Sequence, residues 1–188
     1  MTTREQVTKS RDYSMFRYLP FLPICPESPR PHLRVGWSPL YKPLGLGKHL
    51  GMTNLFIKDD GQNPTASLKD RASVIAVIKA VEEKAPTVAC SSTGNAASSL
   101  AGSAAAMGLK SVIFVPSRAP QGKIAQLLIF GATVVSVQGS YEDTFRLSAE
   151  AIDRFGWYNR NAAINPYLVE GKKDGCFGDR GAIKLGST

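Results

Sequence analysis

Strand-like and helix-like segments alternate along the chain from residue 87 to residue 155. Three short runs rich in apolar and β-branched residues predict strands at 87–90, 111–115 and 133–137. Longer segments follow these runs and predict helices at about 95–108, 121–130 and 141–155. This alternation is typical of an α/β fold with a parallel sheet flanked by helices. Ligands of such a sheet bind at the carboxyl ends of its strands.

The first 87 residues follow another pattern. Five prolines between positions 20 and 31 disfavour long helices there, and residues 55–57 predict a short strand. A helix is expected from Ser67 to about residue 84, with Ser67 as its N-cap and Asp70 as the capping-box partner. Helical spacing predicts that one buried face of this helix is formed by Val74, Val77, Ile78 and Val81.

Composition indicates a packed globular protein of 188 residues, with 43% hydrophobic and 20% charged residues. The net charge is +8, but no run of five basic residues occurs, which argues against nucleic acid as a partner. Three widely separated cysteines disfavour both a disulfide framework and a metal site. A signal pattern and an apolar run of about 20 residues are both missing, so we expect no membrane partner and a cytoplasmic location.

A lysine, Lys69, stands at the start of the predicted helix, directly behind the hydroxyls of Thr65 and Ser67. Most lysines at such positions are simply solvated, and that interpretation stays open. However, the positive end of the helix dipole disfavours a protonated amine, and the neutral amine is the form that reacts with carbonyl groups. Lys69 is therefore a candidate for imine chemistry.

A hydroxyl-rich turn, Ser91-Ser92-Thr93-Gly94-Asn95, links the first strand of the sheet to the helix that follows it. Backbone N–H groups at a helix N-terminus form an anion site. The alternative is an ordinary helix cap flanked by small residues. Its place at the carboxyl end of a strand favours the anion site.

Five motifs follow one another along the chain: W-S-P-L-Y at 37–41, I-K-D-D-G-Q-N-P-T-A-S-L-K-D-R at 57–71, S-T-G-N at 92–95, P-Q-G-K at 120–123 and N-P-Y-L-V-E-G-K-K at 165–173. In this order they resemble the threonine synthases, within the tryptophan-synthase-β-like family of pyridoxal-phosphate enzymes. The resemblance implies that residues 88–170 form the small α/β domain of that fold. It also implies that residues 1–87 form the N-terminal, incomplete part of the large cofactor domain.

The resemblance implies a role for each candidate residue. Lys69 would hold pyridoxal 5′-phosphate as a Schiff base and then transfer protons as base and acid. Asn95 would hydrogen-bond the ring hydroxyl of the cofactor. Ser92, Thr93 and Gly94, with the helix N-terminus behind them, would bind an anionic group of an amino-acid substrate.

The reaction implied by the resemblance is that of a carbon–oxygen lyase acting on phosphates. It converts O-phosphohomoserine and water to threonine and phosphate, and the cofactor serves as the electron sink. Two alternatives stay open: another pyridoxal-phosphate lyase, such as a threonine dehydratase, or a non-catalytic fragment. A homo-oligomer is expected only of a full-length relative.

The last residues, 171–188, are expected to form a tail outside the family pattern. The family's phosphate loop and main sheet come after the equivalent of Gly171, so this chain is expected to be inactive alone and to expose the apolar faces of residues 54–84. Residues 174–188 can be back-translated with a free choice of synonymous codons. When the first base of one such choice is dropped, the new reading frame encodes T-V-A-L-E-I-A-E-Q-L-S-W-G-P. This sequence resembles the continuation seen in threonine synthases, which suggests a frameshift near Asp174.

Overall fold

Four parallel strands form the central sheet of the computed structural model, which describes residues 3–177. They are β3 (Thr87–Ser91), β4 (Lys110–Pro116), β5 (Thr133–Val137) and β6 (Tyr158–Asn159), in the spatial order β5-β4-β3-β6. A separate antiparallel pair consists of β1 (Leu40–Tyr41) and β2 (Ile57–Lys58). The predicted parallel α/β sheet is confirmed, with β6 as a fourth strand that the sequence did not reveal.

The helices are α1 (Thr3–Lys9), α2 (Leu44–His49), α3 (Lys69–Glu82), α4 (Asn95–Ala106), α5 (Gln121–Ile129), α6 (Tyr141–Phe155) and α7 (Tyr167–Glu170). Two short 3-10 helices span Met15–Phe21 and Asp60–Gln62, and residues 173–177 are also helical. Pro20 lies in the first of these 3-10 helices, and the other four prolines of residues 20–31 lie outside any helix or strand, in agreement with the expectation of no long helix there.

Residues that alternate along β3 and β4 pack on opposite sides of the sheet. Val88 and Ile113 pack with apolar residues of α4 and α5, whereas Ala89 and Phe114 pack against Ile152 of α6. This period of two follows from strand geometry, and it requires helices on both faces. The helix α4 is built almost wholly of alanine, serine and glycine, so a neighbouring helix can approach it closely.

The helix α3 is buried on opposite sides rather than along the single face predicted. Val74 and Ile78 pack with the N-terminal segment, in a cluster that includes Met15 and Val35. Val77 instead packs with α4 and the sheet. The expectation that residues 54–84 expose their apolar faces is therefore wrong for this helix, because residues 15–35 cover the side that faces away from α4.

The start of α3 also differs from the prediction. The N-cap residue is Leu68, and Asp70 bonds to Thr65 rather than closing a capping box with Ser67. The predicted strand at 55–57 overlaps β2 only at Ile57, and within the described residues β2 pairs with the equally short β1.

Within residues 3–177, no helix is both long enough and apolar enough to cross a membrane. The same residues contain no cluster of His, Cys, Asp or Glu arranged to hold a metal ion. The proposed boundaries at residues 87 and 170 stay predictions, and most of the predicted tail, residues 178–188, lies outside the described part of the chain.

Candidate active site

Lys69 is the first residue of α3, and the loop in front of it is held by hydrogen bonds to this helix. The carboxylate of Asp70 accepts bonds from the backbone N–H of Thr65 at 2.8 Å and from its hydroxyl at 2.5 Å. Ser67 Oγ accepts a bond from the backbone N–H of Lys69 at 3.0 Å. Burial raises the pKa of Asp70, while the bonds from Thr65 oppose that change. The loop is thereby fixed beside the lysine.

The N-terminus of α4 presents free backbone donors. Its N-cap, Gly94, supplies no side-chain cap, and a Cβ built at this glycine would meet nothing within 4 Å. Among residues 3–177, the N–H groups of Thr93, Asn95 and Ala96 have no hydrogen-bond acceptor. Such uncapped groups at a helix N-terminus can bind an anion. The structure thus places the predicted residues Ser92, Thr93, Gly94 and Asn95 at one open turn.

Lys123 joins the P-Q-G-K motif to this turn. Its Nζ donates a hydrogen bond to Asn95 Oδ1 at 3.3 Å. Nearby, the hydroxyl of Ser91 is buried and has no hydrogen-bond partner within the described residues. The motifs at 92–95 and 120–123 therefore meet at the carboxyl ends of β3 and β4, where the fold predicts the ligand.

A contact between two serines joins α3 to α4 and fixes the two helix starts relative to each other. Ser73 Oγ and Ser99 Oγ lie 2.6 Å apart. Lys69 precedes Ser73 by one helical turn, and Asn95 precedes Ser99 by one turn. Residues four apart share a helix face, so Lys69 and Asn95 lie on the sides along which the two helices meet.

Arg160 is a further candidate for the site, which the motifs of the sequence did not indicate. It follows β6, its backbone N–H bonds to Ala89 O at 2.9 Å, and the residue is only 3% exposed. Its Nε and Nη2 donate to Ser73 Oγ at 3.2 and 3.0 Å. Within the described chain no carboxylate lies within ion-pair distance of it. Burial lowers the pKa of its guanidinium.

Lys172 adds a further cation. The preceding Gly171 packs directly on α3: a Cβ there would lie 2.9 Å from Arg71 O and 2.9 Å from Ile75 Cγ1. This close approach brings Lys172 near enough to Lys69 and Arg160 for their charges to act on it. Burial, followed by the charges of Lys69 and Arg160, lowers the pKa of Lys172. Lys172 has no ion-pair partner within the described chain either.

Comparison with known proteins identifies the family of this chain. The family described as "Pyridoxal-phosphate dependent enzyme" matches residues 32–176, more than half of the chain. The chain therefore belongs to the pyridoxal-phosphate dependent enzymes. It is similar to threonine synthase from Methanocaldococcus jannaschii, with 36% identity over 170 residues, which is 90% of this chain and 42% of that protein. Threonine synthase from Bacillus sp. is 37% identical over 86% of this chain and 46% of that protein.

Solved structures show the same fold at lower identity. Diaminopropionate ammonia lyase from Escherichia coli, in complex with an aminoacrylate-PLP intermediate, aligns with a TM-score of 0.73 and 19% identity, over 80% of this chain and 45% of that chain. The processed form of threonine deaminase isoform 2 from Solanum lycopersicum aligns with a TM-score of 0.63 and 24% identity, over 71% of this chain and 37% of that chain.

Pyridoxal phosphate is the cofactor of this family, and the residues present fit part of it. The amine of Lys69 has no hydrogen bond or ion pair within residues 3–177, so it is available to a carbonyl group. The uncapped turn of Ser92, Thr93 and Gly94 offers anion donors, and Asn95 offers an amide. The chain spans less than half the length of the relatives it matches, 42% and 46% of the two above.

Proposed function

We propose that this chain contributes to the active site of a threonine synthase, which converts O-phosphohomoserine and water to threonine and phosphate. The supporting observation is the group of three cations Lys69, Arg160 and Lys172, which has no neutralising carboxylate in the described chain. Arg160 is buried, and buried charges are normally paired, so its unpaired guanidinium beside two further cations favours an anionic ligand.

The amount of positive charge separates the two lyase candidates. Threonine carries one carboxylate as its only anionic group, and the uncapped turn at α4 is sufficient for it. O-phosphohomoserine carries a phosphate monoester as well, with about −1.5 to −2 charges at neutral pH. Arg160 and Lys172 supply cations for that second anionic group. This favours the phosphorylated substrate over the threonine dehydratase alternative.

Each residue then has a defined task. Ser92, Thr93 and Gly94 bind the carboxylate of the amino-acid substrate. Asn95 orients the pyridine ring of the cofactor through its ring hydroxyl. Lys69 binds the cofactor and then takes and returns protons at its Nζ. Bound pyridoxal phosphate supplies an electron sink for the carbanions of the reaction. Arg160 and Lys172 hold the phosphate that leaves.

The whole reaction is a proposal because the chain matches only part of each relative. The inactivity of the 188-residue chain alone stays a prediction, as does its cytoplasmic location. The frameshift hypothesis concerns residues 174–188, of which 178–188 lie outside the described residues, and a nucleotide sequence from codon 165 onwards tests it.

Binding by the purified 188-residue protein tests the substrate. We expect calorimetry to give at least tenfold tighter binding of O-phosphohomoserine than of threonine, and we expect Arg160→Met to remove most of that difference. In a protein that turns over, phosphate release from O-phosphohomoserine is expected to exceed ammonia release from threonine. Equal affinity for the two ligands, or ammonia as the main product, would support the dehydratase instead.

A further inference from the structure

Ser73 is fully buried between two groups that the proposed reaction does not otherwise connect. On one side it accepts two hydrogen bonds from Arg160, and on the other it contacts Ser99, whose hydroxyl donates to Ala96 O at 3.1 Å. Ala96 belongs to the first turn of α4, at the predicted anion site. These contacts form a continuous path from the guanidinium to the uncapped turn.

We propose that Ser73, supported by Ser99, is a positioning residue that orients the guanidinium of Arg160 for anion binding without neutralising its charge. The inference rests on the proposed function only for the identity of the anion. It concerns residues of this chain alone and requires no bound cofactor.

The direction of every hydrogen bond in this path is fixed by chemistry. A guanidinium can only donate, so Ser73 Oγ must accept from both Arg160 Nε and Nη2. The proton of Ser73 must then point to Ser99 Oγ, 2.6 Å away. Ser99 in turn donates its own proton to Ala96 O. Each hydroxyl therefore has one orientation, and neither can rotate without breaking a hydrogen bond. The guanidinium plane of Arg160 is held by this path.

The chemical type of Ser73 matters as much as its place. A buried arginine is usually paired with a carboxylate, which fixes its geometry but also cancels its charge. Asp60 and Asp174 do this for Arg71 on the same helix. A hydroxyl fixes the geometry of Arg160 and leaves the positive charge for a ligand. Arg71 belongs to α3, and Arg160 hydrogen-bonds to Ser73 of the same helix. Only Arg71 is neutralised by carboxylates, and this contrast supports a role for Arg160 in binding a ligand.

The helices also set the distance between the anion and the reacting amine. Lys69 and Ser73 are one turn apart on α3, so the amine and the hydroxyl that orients Arg160 belong to one rigid element. Sites built on helices keep their geometry better than sites built on loops. Loss of the Ser73 hydroxyl should therefore change anion binding more than it changes the fold.

NMR of the 20.2 kDa chain with inorganic phosphate as the probe provides the test. The Nε–H signal of Arg160, identified by its loss in Arg160→Lys, should exchange slowly with water and shift on addition of phosphate. Ser73→Ala should speed this exchange and raise the phosphate Kd at least tenfold. Ser73→Thr, which keeps the hydroxyl, should stay within about threefold of the wild type.

Two further variants separate positioning from packing. Ser98→Ala removes a neighbouring buried hydroxyl, which bonds to Gln126 Oε1 at 2.8 Å, and should leave the Arg160 signal and phosphate binding unchanged. Ser99→Ala leaves Ser73 in place and should weaken phosphate binding to an intermediate degree, which decides the matter if Ser73→Ala does not fold.

An unchanged Nε–H exchange rate or phosphate Kd in folded Ser73→Ala would overturn the proposal. So would an equal loss in Ser98→Ala, since that would indicate a general packing effect. The proposed function fails separately: if phosphate still shifts the Arg160 signal but O-phosphohomoserine binds no better than threonine, the positioning role stands and the substrate assignment falls.

Discussion

Arg71 of α3 forms a buried ion pair with Asp174, which lies 103 positions further along the chain. The same guanidinium bonds to Asp60, with an Nη2–Oδ1 distance of 2.6 Å, and to Ser38 Oγ at 3.0 Å. One cation therefore faces two carboxylates. Asp174 Oδ1 is buried and has no hydrogen-bond partner within the described residues. Burial raises the pKa of Asp174 to about 6, although Arg71 opposes that change.

Replacement of Arg71 by alanine should strongly destabilise the protein. It leaves the carboxylates of Asp60 and Asp174 without their cation, and breaking a buried pair in this way typically costs about 3–5 kcal/mol. Urea unfolding followed by circular dichroism measures the loss. Arg146→Ala is the control, because its ion pairs on α6 are exposed and should contribute little. Equal losses for the two variants would contradict the role of the Arg71 network.

Asp174 should give stability a distinctive pH dependence. Its pKa in the folded protein, about 6, lies above the ordinary value of 3.8. The folded state therefore favours the protonated carboxyl, so this contribution is fully present below about pH 4 and is lost as the pH rises through about 6. The difference in unfolding free energy between the wild type and Asp174→Asn should accordingly change between pH 4 and pH 7. The wild type should become less stable relative to the variant as the pH rises. A difference that is constant with pH would contradict the burial of this carboxylate.

Asp70 should control the order of the loop in front of Lys69. Asp70→Ala removes both bonds to Thr65, which typically costs about 1–3 kcal/mol for partly buried groups. We expect the Thr65 amide proton to exchange with deuterium at least tenfold faster, while amides in β4 stay protected. Asp143→Ala, which removes an exposed cap from α6, is the control. Unchanged exchange at Thr65 would show that the loop is held by other contacts.

The sequence predicted the sheet well because its strands and helices carry strong periods over five or more residues. The helix at 141–155 and the strand at 133–137 agree with α6 and β5 at both ends. The strand β6 was missed because two residues carry no period, and its partner β3 supplies the pairing. Two apolar faces of α3 pack in different clusters, and in the sequence their residues alternate within the same turns. They were therefore assigned to a single face.

The sequence indicated only those candidate site residues that lie in contiguous motifs. Lys69 and Asn95 begin helices, and their motifs are contiguous. Arg160 and Lys172 enter the proposed site through tertiary placement: Arg160 is buried against Ser73, and Lys172 follows Gly171, which packs on α3, so that the charge of Lys69 acts on it. The absence of carboxylates near Arg160 in the described chain is a property of the folded arrangement, so no spacing of residues reveals it.

Asn95 should affect the bound cofactor rather than the fold. Asn95→Ala removes an amide from the open turn of α4 and should shift the visible absorbance of the cofactor-loaded protein and weaken cofactor binding, with a loss of about 1–3 kcal/mol. Lys123→Met removes the bond to Asn95 Oδ1 but keeps the amide, so it should have the smaller effect. An unchanged spectrum in Asn95→Ala would leave Asn95 as a helix start only.

Lys69 and Lys172 provide the most direct test of the proposed active site, because the charge of Lys69 acts on Lys172 and only one of the two amines should react with the cofactor. The pKa of Lys172 is lowered by burial and by its neighbours, so that amine is also a plausible nucleophile. Lys69 has the better position, at the start of α3 and on the side that meets α4. We therefore expect borohydride reduction with pyridoxal phosphate to label Lys69, and mass spectrometry of peptides to find that label intact in Lys172→Met and absent in Lys69→Ala. A label on Lys172 in the wild type would reverse the two roles and make Lys69 the phosphate-binding cation.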